Sequence, residues 1–221
     1  MQVHKSTASR LLSTLERAGF VERDPYTEKY HLGFELVRLA GQVPRHAELV
    51  ELARPALEAL SDTTGETVNL ALADGTQVIH IHQISSRHLV KDTNWVGRRT
   101  PYHCTSNGKA LLAWLPEADI SARLSGRLER FTPRTILTRR GLLAELAVTR
   151  ELGYATALEE LEVGLNAVAA PVRDGHGQVI AAVSASGPAY RVTPARIPEL
   201  GAQAIWAAER VSKRLGWSGR T

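Results

Sequence analysis

The stretch "ETVNLALADGTQVIHIHQISS", residues 66–86, constrains the fold of this chain more than any other. Two apolar runs alternate in period two on either side of Asp74-Gly75. An Asp-Gly pair tolerates the positive φ that a tight hairpin turn demands, so the two runs are expected to pair antiparallel. Downstream, "YATAL", "LNAVAAPV" and "QVIAAVSAS" read as further strands, the last two joined at "RDGHG". Helical spacing appears over Ser106 to Leu115, in "EADISARLS" and in "RRGLLAELAVTRELG". A long closing helix from about Pro194 to Leu215 turns Ile197, Leu200, Ala204, Ile205, Ala208 and Val211 inward. Antiparallel strands with helices at both ends predict an α+β fold.

Bulk properties narrow the class. The 221 residues suffice for one large domain, or a small one joined to a medium one. No apolar run approaches the roughly 20 residues that cross a bilayer, and the N-terminus has no signal-peptide core, so the expected location is the cytoplasm. Cys104 is the single cysteine, which excludes an intrachain disulfide. A net charge of +4 permits a nucleic-acid partner without demanding one.

The first 33 residues add a different pattern. Ala8, Leu11, Leu12 and Leu15 form one apolar helical stripe, with Lys5, Ser6, Thr7, Ser9 and Arg10 off it and crowded toward its N-terminal half. Gly19 falls where a helix stops. "FVER" and "KYHL" then read as two short strands around a turn opened by Asp24-Pro25. Helix, glycine stop and ribbon form the second half of a winged helix-turn-helix. Hydroxyl side chains and free N–H groups at a helix start suit phosphate, and Lys5 and Arg10 reach phosphate or guanine edges. A plain amphipathic helix with a solvent face has the same stripe, and the acidic Glu16, Glu22, Asp24 and Glu28 nearly balance the bases. The order of elements, rather than charge, favours DNA.

"HKSTASRLLSTLERAGFVERDPYTEKYHLG" resembles the recognition helix and wing of the IclR family of bacterial transcriptional regulators. "VGRRTPYHCTSNGKALLAWLP" and "ELGYATALEELEVGLNAVAAPVRDGHGQVIAAVSASGPAYRVT" are similar to two further segments of that family, in the same order. The resemblance implies a partial winged helix-turn-helix at 1–33, a linker helix at 34–46, and a GAF-like antiparallel-sheet effector domain at 47–221. It also implies operator DNA as partner, a small organic acid as effector, no cofactor, and a homodimer, commonly paired into a tetramer. Members carry two further helices ahead of the recognition helix, so an upstream start codon or a shortened chain is expected. Leu11, Leu12 and Leu15 then lose surface to bury, at roughly 1.5–3 kcal/mol for each large apolar side chain. The 221-residue form is therefore expected to bind DNA weakly or not at all.

Alternation in "VIAAVSASG" puts Ile180, Ala182, Ser184 and Ser186 on one face. Leu165, Ala167 and Ala169 share a face of the neighbouring strand. Small side chains on both leave either a hollow with a few directed hydroxyls or close packing against a helix. Thr105 or Ser106 caps the next wall, so the N–H groups near Ser106, Asn107 and Gly108 offer an anion a seat, and Gly108 would admit a ligand close to the backbone. The resemblance makes Ser106, Asn107, Ala167, Ser184 and Ser186 pocket positions. Ala157 and Ala167 stand where the family usually has Asp or Ser and often Cys. That predicts a more apolar pocket and leans toward a bulkier or aromatic acid.

Other residues attract attention for different chemistry. His80 and His82, two apart on a strand, are expected on one face, with His103 or His88 as third ligand if a metal bound there; structural histidines are the preferred reading. Cys104 beside His103 suggests a nucleophile and base, but neighbours on an extended chain point apart. Glu159, Glu160 and Glu162 read as a solvated acidic turn, and Trp95 as pocket cover or core. The expected function is thus ligand-controlled transcription regulation, not catalysis, with no metal; the alternative is a stand-alone sensor whose N-terminus no longer binds DNA.

Overall fold

A computed structural model describes residues 4–40, 44–87, 94–124 and 126–219. The chain divides into two compact units, Met1–Leu49 and Val50–Thr221. Part of the expected linker helix, residues 41–43, and His88 lie outside the described residues.

In the first unit, helix α1 (Lys5–Arg17) starts after an extended His4, whose carbonyl accepts from the amides of Thr7 and Ala8. It ends where the sequence placed its stop. Gly19 takes φ +74°, Gly19 N donates to Glu16 O and Phe20 N to Leu15 O, the paired bonds of a Schellman cap. Strands β1 (Val21–Arg23) and β2 (Tyr30–Leu32) then pair antiparallel, Val21 opposite Leu32. Asp24 Oδ1 accepts from the Tyr26 and Thr27 amides, which closes the turn and holds its carboxyl below the usual range. Gly33 closes the unit, because a Cβ there would sit 2.1 Å from Gly19 O. A short α2 (Glu35–Ala40) follows. The apolar stripe of α1 forms, but no α1 residue is buried, and Leu11 and Leu15 are 56% and 41% exposed.

The second unit is built on one sheet. Helix α3 (Pro44–Thr64) crosses the boundary between the units and keeps Pro55 inside it, so the carbonyl of Glu51 lacks its usual helical donor. Strands β3 (Thr67–Asp74) and β4 (Gln77–Ile84) form the expected hairpin, with Gly75 at φ +59°. Then come β5 (Arg99–Thr100), α4 (Ser106–Leu112), α5 (Glu117–Arg123), α6 (Arg139–Leu152), β6 (Ala155–Leu158), β7 (Leu165–Arg173), β8 (Val179–Pro188) and α7 (Ile197–Arg214). The six strands run β5-β4-β3-β8-β7-β6, every neighbouring pair antiparallel.

The sheet is buried on both faces. Leu111, Leu112, Ile120, Leu142 and Leu146 from α4, α5 and α6 pack over Ala71, Ala169 and Ala182. Helix α7 packs on β7 and β8 with Leu200, Ala204, Ala207, Ala208 and Val211 all buried, while Ile205 is only half-buried. The fold is α+β, as antiparallel strands with helices at both ends predicted.

Candidate effector pocket

Partners across an antiparallel ladder share a face, so register alone brings the pocket residues together. Asn69 on β3 pairs with Ser184 on β8, Ser186 with Ala167 on β7, and Ala167 with Ala157 on β6. On the other side His80 on β4 pairs with Ala71, two residues along β3 from Asn69. These side chains, with Thr100 of β5, form a row across the sheet under a hollow. Trp95, Cys104, Thr105, Ser106, Asn107, Leu161 and Leu165 complete its wall. Its volume is about 50 Å³, more than one water needs.

The start of α4 makes the roof. Thr105 caps it by accepting from Gly108 N at 3.1 Å and donates its own hydroxyl to Pro101 O at 2.8 Å. Asn107 Nδ2 donates to Ser184 Oγ at 3.0 Å, tying roof to floor. Ser106, Asn107, Ala167, Ser184 and Ser186 thus gather at one hollow. Gly108 is placed differently from the sequence expectation. A Cβ on it would lie 2.3 Å from Tyr102 O and 2.4 Å from Tyr102 Cα, so its bare backbone admits the preceding turn of this chain, and it does not line the hollow.

Among the described residues, no lining side chain carries a charge at neutral pH. Burial holds the His80 imidazole down at about 4, hence neutral, and pushes the Cys104 thiol up to about 12. His80 Nε2 lies 3.3 Å from Thr100 Oγ1, and its ring centroid is 5.6 Å from that of Trp95. Three buried atoms of lining residues have no partner among the described residues: Asn69 Oδ1, His80 Nδ1 and Asn107 Oδ1.

The histidine pair is corrected outright. His80 pairs with Ala71 but His82 with Leu70, so Ile81 is an extra residue in a bulge. His82 consequently faces the opposite way and feels Arg54, Glu51 and Glu58 of α3, while His80 lines the hollow. The two cannot chelate one ion. His103 leaves the hollow as well: its Nε2 lies 2.9 Å from Glu129 O, while the adjacent Cys104 lines the pocket. Glu160 is not in a solvated turn. It is buried, with Oε1 2.7 Å from the Nζ of the fully buried Lys109.

Sequence reasoning missed Asn69 and Thr100. Asn69 carried a signal, since a lone amide inside the apolar run "VNLALA" must find a partner or a function. Thr100 carried none, because its place depends on a two-residue edge strand. Lys5, Ser6, Thr7, Ser9 and Arg10 are all exposed on α1.

Comparison with known proteins places this architecture in a family. Residues 41–213 match the family model described as bacterial transcriptional regulator IclR C-terminal, and residues 2–25 match the IclR helix-turn-helix domain. The chain is 38% identical over 218 residues to the HTH-type transcriptional regulator XynR of Escherichia coli, covering 98% of this chain and 86% of that protein. Its fold matches the crystal structure of Thermotoga maritima IclR with a TM-score of 0.83 at 32% identity, covering 96% of this chain and 86% of that one. It also matches an IclR homologue from Microbacterium hydrocarbonoxydans, complexed with 4-hydroxybenzoate, with a TM-score of 0.85 at 28% identity over 96% of this chain and 86% of that one. The chain belongs to the IclR family of bacterial transcriptional regulators. It is a DNA-binding regulator rather than an enzyme, with a helix-turn-helix segment and a C-terminal ligand-binding domain.

Proposed function

We propose that a small organic acid bound in the hollow under α4 controls DNA binding through residues 1–33, with 34–46 as linker and 47–221 as effector domain. The observation that carries this reading is the meeting of Ser106, Asn107, Ser184 and Ser186 at one cavity whose described lining side chains are uncharged. Hydroxyl and amide donors are the groups a single carboxylate can use there. A phosphorylated ligand would bring a second charge with no cation among the described lining residues to meet it.

A ring-bearing acid has two supports. Ala157 and Ala167 line the hollow and make its β6–β7 end apolar, and the similar Microbacterium protein is complexed with 4-hydroxybenzoate. On the DNA side, Ser6, Thr7, Ser9 and Arg10 contact the operator, with Lys5 on phosphate. Regulation follows when the acid binds more tightly to one arrangement of paired DNA-reading helices than to another, which requires a homodimer or a tetramer.

A gel-shift with the gene's own upstream DNA, using a chain extended at its N-terminus, tests the reading. An effective acid changes the wild-type shift, Ser184→Ala with Ser186→Ala abolishes that change, and Arg10→Ala weakens binding whether or not the acid is present. An acid response unaltered by the double serine substitution would place the effector elsewhere.

A further inference from the structure

A second pocket lies at the far end of β7. Strand β6 ends opposite Ala169, so residues 170–173 have no described strand beside them on that side. Pro171 has no N–H, and the Arg173 amide already donates to Ser212 Oγ at 2.8 Å, so neither offers an added strand a donor. The gap holds a pocket of about 140 Å³ instead, and none of its described lining residues lines the hollow under α4. Trp114 beyond α4, Ile205 and Glu209 on α7, and Trp217 face Pro171 and Arg173 across it. Trp217 reaches this wall because α7 stops in a Schellman cap. Gly216 takes φ +88°, its N donates to Lys213 O, and Trp217 N donates to Ser212 O, which turns the chain back on itself.

Two opposite charges line this pocket without meeting. Arg173 is half-buried, its guanidinium carbon 4.8 Å from the Trp114 ring centroid, and its Nη1 donates to Gly177 O at 2.9 Å. Among the described residues its Nε and Nη2 have no partner and no carboxylate pairs with it. Glu209 is half-buried too, and makes no hydrogen bond or ion pair among them. It precedes Ser212, which holds the Arg173 amide, by three residues, about 4.5 Å along α7. Charges drawn partly out of water gain most from a partner of opposite sign. An anion would meet Arg173 and be repelled by Glu209, and a cation the reverse. A zwitterion satisfies both.

We propose that this pocket binds a free α-amino acid. Its carboxylate takes the Nε–Nη2 edge of Arg173, the fork that suits a planar acid. Its ammonium group meets Glu209, and its side chain lies against the indoles of Trp114 and Trp217. The size suits a ring or a branched chain, since about 140 Å³ is close to the ~150 Å³ cavity that takes benzene.

The test is calorimetric titration of the wild-type chain with phenylalanine and leucine. Each is set against the same skeleton lacking one charge: 3-phenylpropanoate and 2-phenylethylamine, 4-methylpentanoate and 3-methylbutylamine. At least one amino acid should bind tenfold or more tighter than both of its analogues. In Glu209→Gln its advantage over the acid should fall toward one, and in Arg173→Gln its advantage over the amine. Ser184→Ala with Ser186→Ala should leave its affinity unchanged, which separates this pocket from the hollow under α4. Analogues that bind wild type as tightly as the amino acids, or no binding by either amino acid, overturn the proposal. So does amino-acid binding that survives Glu209→Gln intact and is lost with the two serines. The wild-type comparison involves no substitution, so a variant that misfolds does not shield the proposal.

Discussion

Lys109 Nζ on α4 lies 2.7 Å from Glu160 Oε1 on the loop after β6, with no part of the lysine side chain open to solvent. Glu145 on α6 supplies a second carboxylate oxygen at 3.2 Å. The same loop is held from its backbone, since the Thr135 hydroxyl donates to Glu160 O at 2.7 Å. Leu161, the next residue, lines the hollow. One buried cation therefore joins the helix that roofs the pocket to the loop that walls it.

Removing one member of a buried pair strands the other, at a cost of about 3–5 kcal/mol. Lys109→Met should lower unfolding free energy by that order in urea titration. Burial already raises the Glu160 carboxyl above its ordinary range, so the stranded acid can relieve part of the loss by taking a proton. Adding Glu160→Gln to Lys109→Met should accordingly restore some stability. A Lys109→Met protein as stable as wild type would mean that water reaches the ammonium group.

Gly108 makes a sharper steric prediction. Its missing Cβ would meet backbone atoms of Tyr102, which cannot swing aside as a side-chain tip would. Gly108→Ala should cost at least the ~1–3 kcal/mol of ordinary overpacking and weaken effector binding by shifting α4. Gly177→Ala is the control. That residue has φ +80° and open space around it, so only the left-handed penalty of about 1–2 kcal/mol applies. Equal losses at the two positions, read from urea midpoints, would remove the close approach as the cause.

Cys104 should behave as a thiol and not as a nucleophile. It is fully buried, and a pKa of about 12 lowers its thiolate fraction about a thousandfold from that of the ordinary group, which ionises near 9. Maleimide at neutral pH should label the folded protein negligibly and the urea-unfolded protein fully. Rapid labelling of the folded chain would reopen the question of reactivity.

The sheet was legible because strand period and turn chemistry are local: Asp74-Gly75 and the alternation in β7 and β8 needed no knowledge of the rest of the chain. The pocket was half legible for the same reason. Ser184 and Ser186 share a face by period, and Ala167 joins them by pairing. What escaped is set by long-range register. A single extra residue at Ile81 sends His80 and His82 to opposite faces, and nothing in "HIHQ" announces it. Glu160 was misread because its partner lies 51 residues away, so an acidic run resembled a solvated turn. Gly108 was assigned to a ligand when the backbone it admits belongs to Tyr102.

The buried His80 should leave a signature in acid. In the unfolded chain it takes up a proton as pH falls through 6.5, whereas the folded protein keeps it neutral down to about 4. Between those values the unfolded state binds more protons, so stability is complete above pH 6.5 and is lost as pH falls toward 4. Over the whole window the loss is about 3 kcal/mol, at 1.36 kcal/mol per unit, and about 2 kcal/mol of it falls between pH 7 and 5. Burial lowers His82 and His103 too, and raises Glu160, so the wild-type profile alone does not isolate the residue. The difference between wild type and His80→Gln does, since the other groups titrate in both. That difference, measured by urea unfolding, should shift by about 2 kcal/mol in favour of the variant on going from pH 7 to pH 5. Parallel profiles would show that solvent reaches the imidazole, and the desolvation that keeps His80 neutral in the pocket would go with them.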